Sequence, residues 1–194
     1  MTSKEAGIQK AKFNLESIVP LIMHNSTTAD PLNPISLEMK KVSHKRDKTE
    51  RDHRDLARME WKAGLYLDGT NLVLPSRVVE AALSQAAKKR KLGKQFAAAV
   101  IVEGNTPLKV EGWTNDLDKN FDSGKFLLAL GVKVQGRTVI RTRPYFEHWT
   151  CTVTVSYLSD LVNLEDIATA FETCGQQVGF CDWRPKYGRF QVIG

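Results

Sequence analysis

Strict alternation of apolar and polar residues marks both ends of this chain as strands. From Lys12, the run Phe13-Asn14-Leu15-Glu16-Ser17-Ile18 places every second side chain on one apolar face, and Pro20 bends that strand or confines it to an edge. Near the other end, Trp149, Cys151, Val153, Val155 and Tyr157 alternate with Thr150, Thr152, Thr154 and Ser156, which predicts one buried and one hydroxylated face. Between them the period changes to helical. Asn33-Pro34 reads as an N-cap followed by proline in the first turn, with Ile35, Met39 and Val42 repeating behind it. Thr49 and Asp52 have capping-box spacing ahead of Leu56, Met59 and Ala63. Pro75-Ser76 opens a helix with the stripe Val79, Leu83 and Ala86 or Ala87, for which Gly93 is the expected terminator. Asn163 and Asp166 cap another, whose Ile167, Ala170, Phe171 and Cys174 face inward, with Gly175 near its end.

The remaining segments are strands and loops. Leu65 to Leu74 reads as a hairpin turning at Asp68-Gly69, and Ala97 to Val102 as a short strand. Residues 104–124 read as loop with one helical turn, and 128–134 with 138–142 as two arms of a β-ribbon. The resulting order, strand 13–23, helix 76–90, middle strands, strand 149–157, helix 163–175 and strand 188–193, is βαββαβ. It predicts an α+β, ferredoxin-like antiparallel sheet with its helices on one face. One domain, 1–194, is expected, with its core in 12–29, 64–103 and 128–194 and insertions at 30–63 and 104–127.

Composition narrows the class. With 194 residues, 42% hydrophobic and 26% charged, the chain is neither disordered nor fibrous. It has no apolar run of membrane-spanning length, and Met1 to Glu5 lack a secretory pattern, so a soluble protein of the cytoplasm is expected. Cys151, Cys174 and Cys181 are an odd set without CxxC spacing, which favours core thiols over disulfides or a metal site. Residues 1–11 read as a polar tail or a lead-in to the first strand.

The net charge of +6 matters mainly through its distribution. Lys88, Lys89, Arg90, Lys91 and Lys94 cluster without an acid, although cations also suit the C-terminal end of a helix. Arg137, Arg141 and Arg143 share parity on one strand and would repel one another unless something anionic sat opposite. Across 40–62 bases outnumber acids on two helices, a pattern read as a solvated face.

Leu74-Pro75-Ser76-Arg77-Val78-Val79-Glu80-Ala81-Ala82-Leu83 resembles the proline-serine helix start of the RAMP superfamily, repeat-associated RNA-binding proteins that include CRISPR effector backbone subunits. The segment from Gly179 to Phe190 is similar to that superfamily's glycine- and arginine-bearing loop before the last strand. Pro20 to Asn25 sits where its first strand ends. The pairing of Leu21-Ile22-Met23-His24-Asn25 with Gly179 to Phe190 also resembles small proteins of phages and prophages, which implies a bacterial host cytoplasm. The terminal loop departs from the superfamily pattern: its two glycines are spread over ten residues, so side chains rather than backbone N–H groups must meet phosphate.

Single-strand binding requires cations for phosphate and flat side chains for bases. Trp183, Arg184, Lys186, Tyr187 and Arg189 offer both in one loop, and Arg137, Arg141, Arg143, Lys88, Lys89 and Lys91 add charge. The competing reading packs Trp183 and Tyr187 beneath the sheet and spends the arginines on surface pairs. The expectation is a non-catalytic protein binding single-stranded RNA, favoured over DNA, in a homo-oligomer or multisubunit complex assembled through 30–63, without cofactor, metal or membrane. Two alternatives remain: a phage anti-defence protein that blocks a CRISPR-type complex, and a metal-independent ribonuclease using His24. No HExxH, GxSxG or GxxxxGK[ST] stretch supports other enzymes.

Overall fold

The structure is a computed structural model and describes residues 7–134 and 136–194. Met1 to Glu5, read above for a secretory pattern, and the first six residues of the expected tail lie outside the described residues. Its elements in chain order are β1 (Ile8–Ser17), β2 (Leu21–Ile22), a 3-10 turn (Ser26–Ala29), α1 (Pro34–Ser43), α2 (Glu50–Gly64), β3 (Leu67–Asp68), β4 (Asn71–Leu74), α3 (Ser76–Lys88), α4 (Gly93–Ala99), β5 (Val100–Val102), β6 (Thr106–Lys109), α5 (Leu117–Asp122), β7 (Leu127–Val134), β8 (Arg137–Phe146), β9 (Thr150–Leu158), α6 (Leu164–Gln177) and β10 (Phe190–Ile193). The chain is mixed α and β with antiparallel strand pairing, and no helix among the described residues is long and apolar enough to cross a membrane.

Two compact units form. Unit 1 comprises 1–21, 67–111 and 147–194; unit 2 comprises 22–66 and 112–146. The stretches read as insertions, 30–63 and most of 104–127, therefore lie in unit 2 together with 128–146.

Unit 1 is built on the two alternating runs of the sequence, which pair with each other. β1 lies antiparallel to β9 with Phe13 opposite Val153 and Leu15 opposite Cys151, so both apolar faces fall on one side. The sheet runs β10-β1-β9-β6-β4-β3, and β5 also pairs with β9. Helices α3 and α6 pack on one another, and the stripe Val79, Leu83, Ala86 and Ala87 is buried, as are Ile167, Ala170, Phe171 and Cys174. Phe13 stacks on Phe171 with ring centroids 4.2 Å apart. Burying such a side chain fully contributes about 2–3 kcal/mol. Burial pushes the thiols of Cys151 and Cys174 up to about 12, and desolvation does the same to that of the half-buried Cys181, so all three stay protonated at ordinary pH.

Several local expectations are corrected. The 67–74 hairpin turns on Gly69 (φ +60°) and Thr70, because Asp68 still pairs with Asn71. Gly93 does not terminate α3. Lys91 takes the left-handed conformation (φ +62°), and Gly93 starts α4, where a Cβ would press on the Lys88 side chain. Residues 97–99, read as strand, belong to α4, because Phe96 and Ala99 bury themselves at helical spacing. The 104–124 loop holds both β6 and α5. Pro20 separates β1 from β2.

Unit 2 contains the sheet β2-β8-β7 and an aromatic core. Trp61 is fully buried and donates from Nε1 to the Phe126 carbonyl at 2.7 Å, while Phe121 meets its ring edge-on at 5.6 Å. The charged stretch on α2 is not simply a solvated face. Arg58 reaches Asp118 at 2.6 Å and Asp122 at 2.7 Å, Arg54 reaches Asp122 at 2.9 Å, and Lys62 reaches Asp118 at 2.9 Å. The acids that answer these cations come from α5, inside the segment read as loop.

The capping box of α2 is formed, with Asp52 N donating to Thr49 Oγ1 at 3.2 Å and Thr49 N to Asp52 Oδ2 at 3.0 Å. The Lys45 ammonium at 2.6 Å and the Thr49 hydrogen bonds hold the Asp52 carboxyl well below the usual range, at about 2. Its folded pKa lies below its unfolded one, so the stabilisation is complete above about pH 4 and is lost as pH falls toward about 2. Asp52→Asn should therefore destabilise the protein at pH 7 by more than it does at pH 2 in denaturant titrations. An equal gap at the two pH values would contradict this.

Candidate nucleic-acid interface

The terminal loop 179–189 leaves the end of α6 and returns to β10. Gly175 lets α6 press its backbone against β10, where a Cβ would meet the Phe190 carbonyl. Gly179 N then bonds Cys174 O at 2.7 Å, closing the helix in the left-handed conformation. The base of the loop is pinned where Phe180 N donates to Gly188 O at 2.9 Å and Gly188 N to Pro20 O at 2.8 Å. Phe180 is buried and stacks on Phe190 at 4.6 Å. The two glycines sit at this pinch: a Cβ on Gly179 would lie 2.7 Å from Tyr187 O, and one on Gly188 2.8 Å from Phe180 N. They bring two backbone segments together, which is why their wide spacing in sequence does not make a phosphate cradle.

Above the pinch the side chains turn outward. Trp183 is 41% exposed and held at φ +53°, with its ring 6.0 Å from that of half-buried Tyr187. Arg184 and Lys186 are exposed, and neither takes part in the ion pairs seen in unit 1, Lys10 with Glu103 and Arg90 with Asp166. Arg189 is half-buried, and its Nε is buried without a hydrogen-bond partner among the described residues.

The lysine cluster adjoins the start of this loop. Lys89 Nζ donates to Gln177 Oε1 at 2.7 Å, tying the end of α3 to the last turn of α6, two residues before Gly179. Lys88, Lys91 and Lys94 are exposed beside it. Gln177 had no signal in the sequence.

Arg137, Arg141 and Arg143 lie together on β8 in unit 2, and the required anion is present. Arg141 Nη1 meets Glu60 Oε1 at 2.7 Å, and Glu60 Oε2 accepts from Thr142 N at 2.8 Å. Glu60 is buried. Arg141 is thus committed to a carboxylate, and breaking such a pair would strand that charge. One sequence signal did point to Glu60: it falls between Leu56 and Ala63 on the inward stripe of α2, where a lone acid requires a partner.

No protein-family model matches this chain, and no curated protein matches it.

Proposed function

We propose that this chain is a non-catalytic single-stranded nucleic-acid-binding protein, favouring RNA, built on a RAMP-like ferredoxin core in unit 1. The antiparallel order β10-β1-β9-β5, with α3 falling between β1 and β5 in the chain, directly after β4, and α6 following β9, supports that core. One observation carries the functional reading. An exposed indole beside a tyrosine ring is flanked by a guanidinium and an ammonium outside the ion pairs of unit 1, and a lysine cluster lies at the loop's foot. Phosphates meet the cations and a base stacks on Trp183, an interaction worth about 1–3 kcal/mol per base. The competing reading, with Trp183 packed beneath the sheet, does not fit its exposure. Arg141 is not needed for this interface.

Trp61 and Trp149 are buried and the half-buried Trp113 ring packs against Trp61, Phe126 and Phe146, so the exposed Trp183 is the indole best placed to report binding. A short single-stranded oligoribonucleotide should quench tryptophan emission, and Trp183→Phe should abolish most of that quenching. Quenching that survives the substitution would remove the loop from the interface.

A further inference from the structure

The clearest unused feature lies in unit 2, where β8 has an open edge facing a groove. Tyr145 N donates to Phe126 O at 3.0 Å across the β7 pairing, so the odd-numbered residues of β8 direct their N–H and C=O groups at β7. Even-numbered residues point the other way. Pro144 O accepts from Met23 N, where the chain leaves β2, at 3.0 Å, and Thr142 N donates to Glu60. Beyond Thr142 the same edge continues through Ile140 and Thr138, whose N–H and C=O groups have no hydrogen-bond partner among the described residues. Six consecutive residues, 138–143, line a groove of about 1190 Å³ that α1 and α2 also wall. Both parities can line one groove only if the strand offers it an edge.

The groove is chemically biased. Met39, Leu56 and the 65%-exposed Ile140 give it apolar surface. Lys40, Lys48 and Arg143 give it positive charge, and Glu60, the acid on its wall, is already taken by Arg141 and Thr142. Ile140 shares a face with the buried Thr142, Pro144 and Phe146, whereas Arg143 and Arg137 lie on the opposite face. A strand added here would place alternate side chains over apolar and cationic surface.

We propose that this edge docks an extended peptide of a partner protein, with apolar and acidic residues alternating, which adds as a strand to β8. The edge offers donors and acceptors in turn, as a peptide main chain requires, and the positive walls select acidic side chains. A second copy of this chain would bring the same cations and be repelled. The proposal is independent of the loop interface in unit 1.

The test uses the intact protein and a capped peptide alternating valine and aspartate. Saturating peptide should slow amide hydrogen exchange at Thr138 and Ile140 by about tenfold or more. A valine–lysine peptide, or the acidic peptide N-methylated at alternate amides, should not. Arg143→Glu should weaken the acidic peptide by about tenfold while leaving the folded spectrum unchanged. Exchange that stays unaltered, or slows equally with the lysine peptide, overturns the proposal. So does protection produced only by a single-stranded oligonucleotide, or by raising the protein concentration alone.

Discussion

Gly188→Ala is expected to destabilise unit 1 by about 3 kcal/mol, combining left-handed backbone strain with overpacking. Gly188 sits at φ +75°, and a Cβ there would press on the Phe180 carbonyl and amide, which belong to backbone and cannot swing aside. Gly104→Ala is the matched control in the same unit. It shares a positive φ of +69° but has nothing within 4 Å of an added Cβ, so it should lose only about 1 kcal/mol. Urea midpoints at constant m distinguish the two. Equal losses would show that the pinch beneath the loop does not hold the backbone this tightly.

The second large effect concerns binding. Trp183→Ala should weaken a single-stranded oligoribonucleotide by about 1–3 kcal/mol, roughly fivefold to 150-fold, because the base loses its stacking partner. The indole is 41% exposed and packs against Tyr187 rather than inside the sheet, so the same substitution should change folding stability by no more than about 0.5 kcal/mol. Fluorescence anisotropy with a labelled strand and a parallel urea titration separate the two. A variant that unfolds, or that binds as well as the parent, would return Trp183 to a packing role.

Much of unit 1 is legible in the sequence because its signals are local. Phe13 and Leu15 alternate against Glu16 and Asn14, and Asn163 caps α6 by accepting from Asp166 N at 2.8 Å, three residues on. The misreadings arise where contacts between distant segments decide. Ala97 to Ala99 satisfy a strand pattern as well as a helical one, and only the burial of Phe96 and Ala99 selects the helix. The cations of α2 look solvated until Asp118 and Asp122 arrive from α5, about sixty residues away along the chain. Glu60 was visible as an acid on an apolar stripe, but nothing in sequence pairs it with Arg141, and the open edge of β8 follows from where β2 stops. The loop residues were found from composition. Their outward orientation depends on the Phe180 and Gly188 pinch, which no spacing encodes.

Salt dependence reads the central claim most directly, because each phosphate neutralised releases counterions and contributes about 0.7 to the slope of log K against log salt on a single strand. Arg184→Ala combined with Lys186→Ala removes two exposed cations, so the slope should become shallower by about 1.4 relative to the parent. A parent whose affinity ignores salt, or a double variant that keeps the parental slope, would contradict the assignment of the terminal loop to nucleic acid.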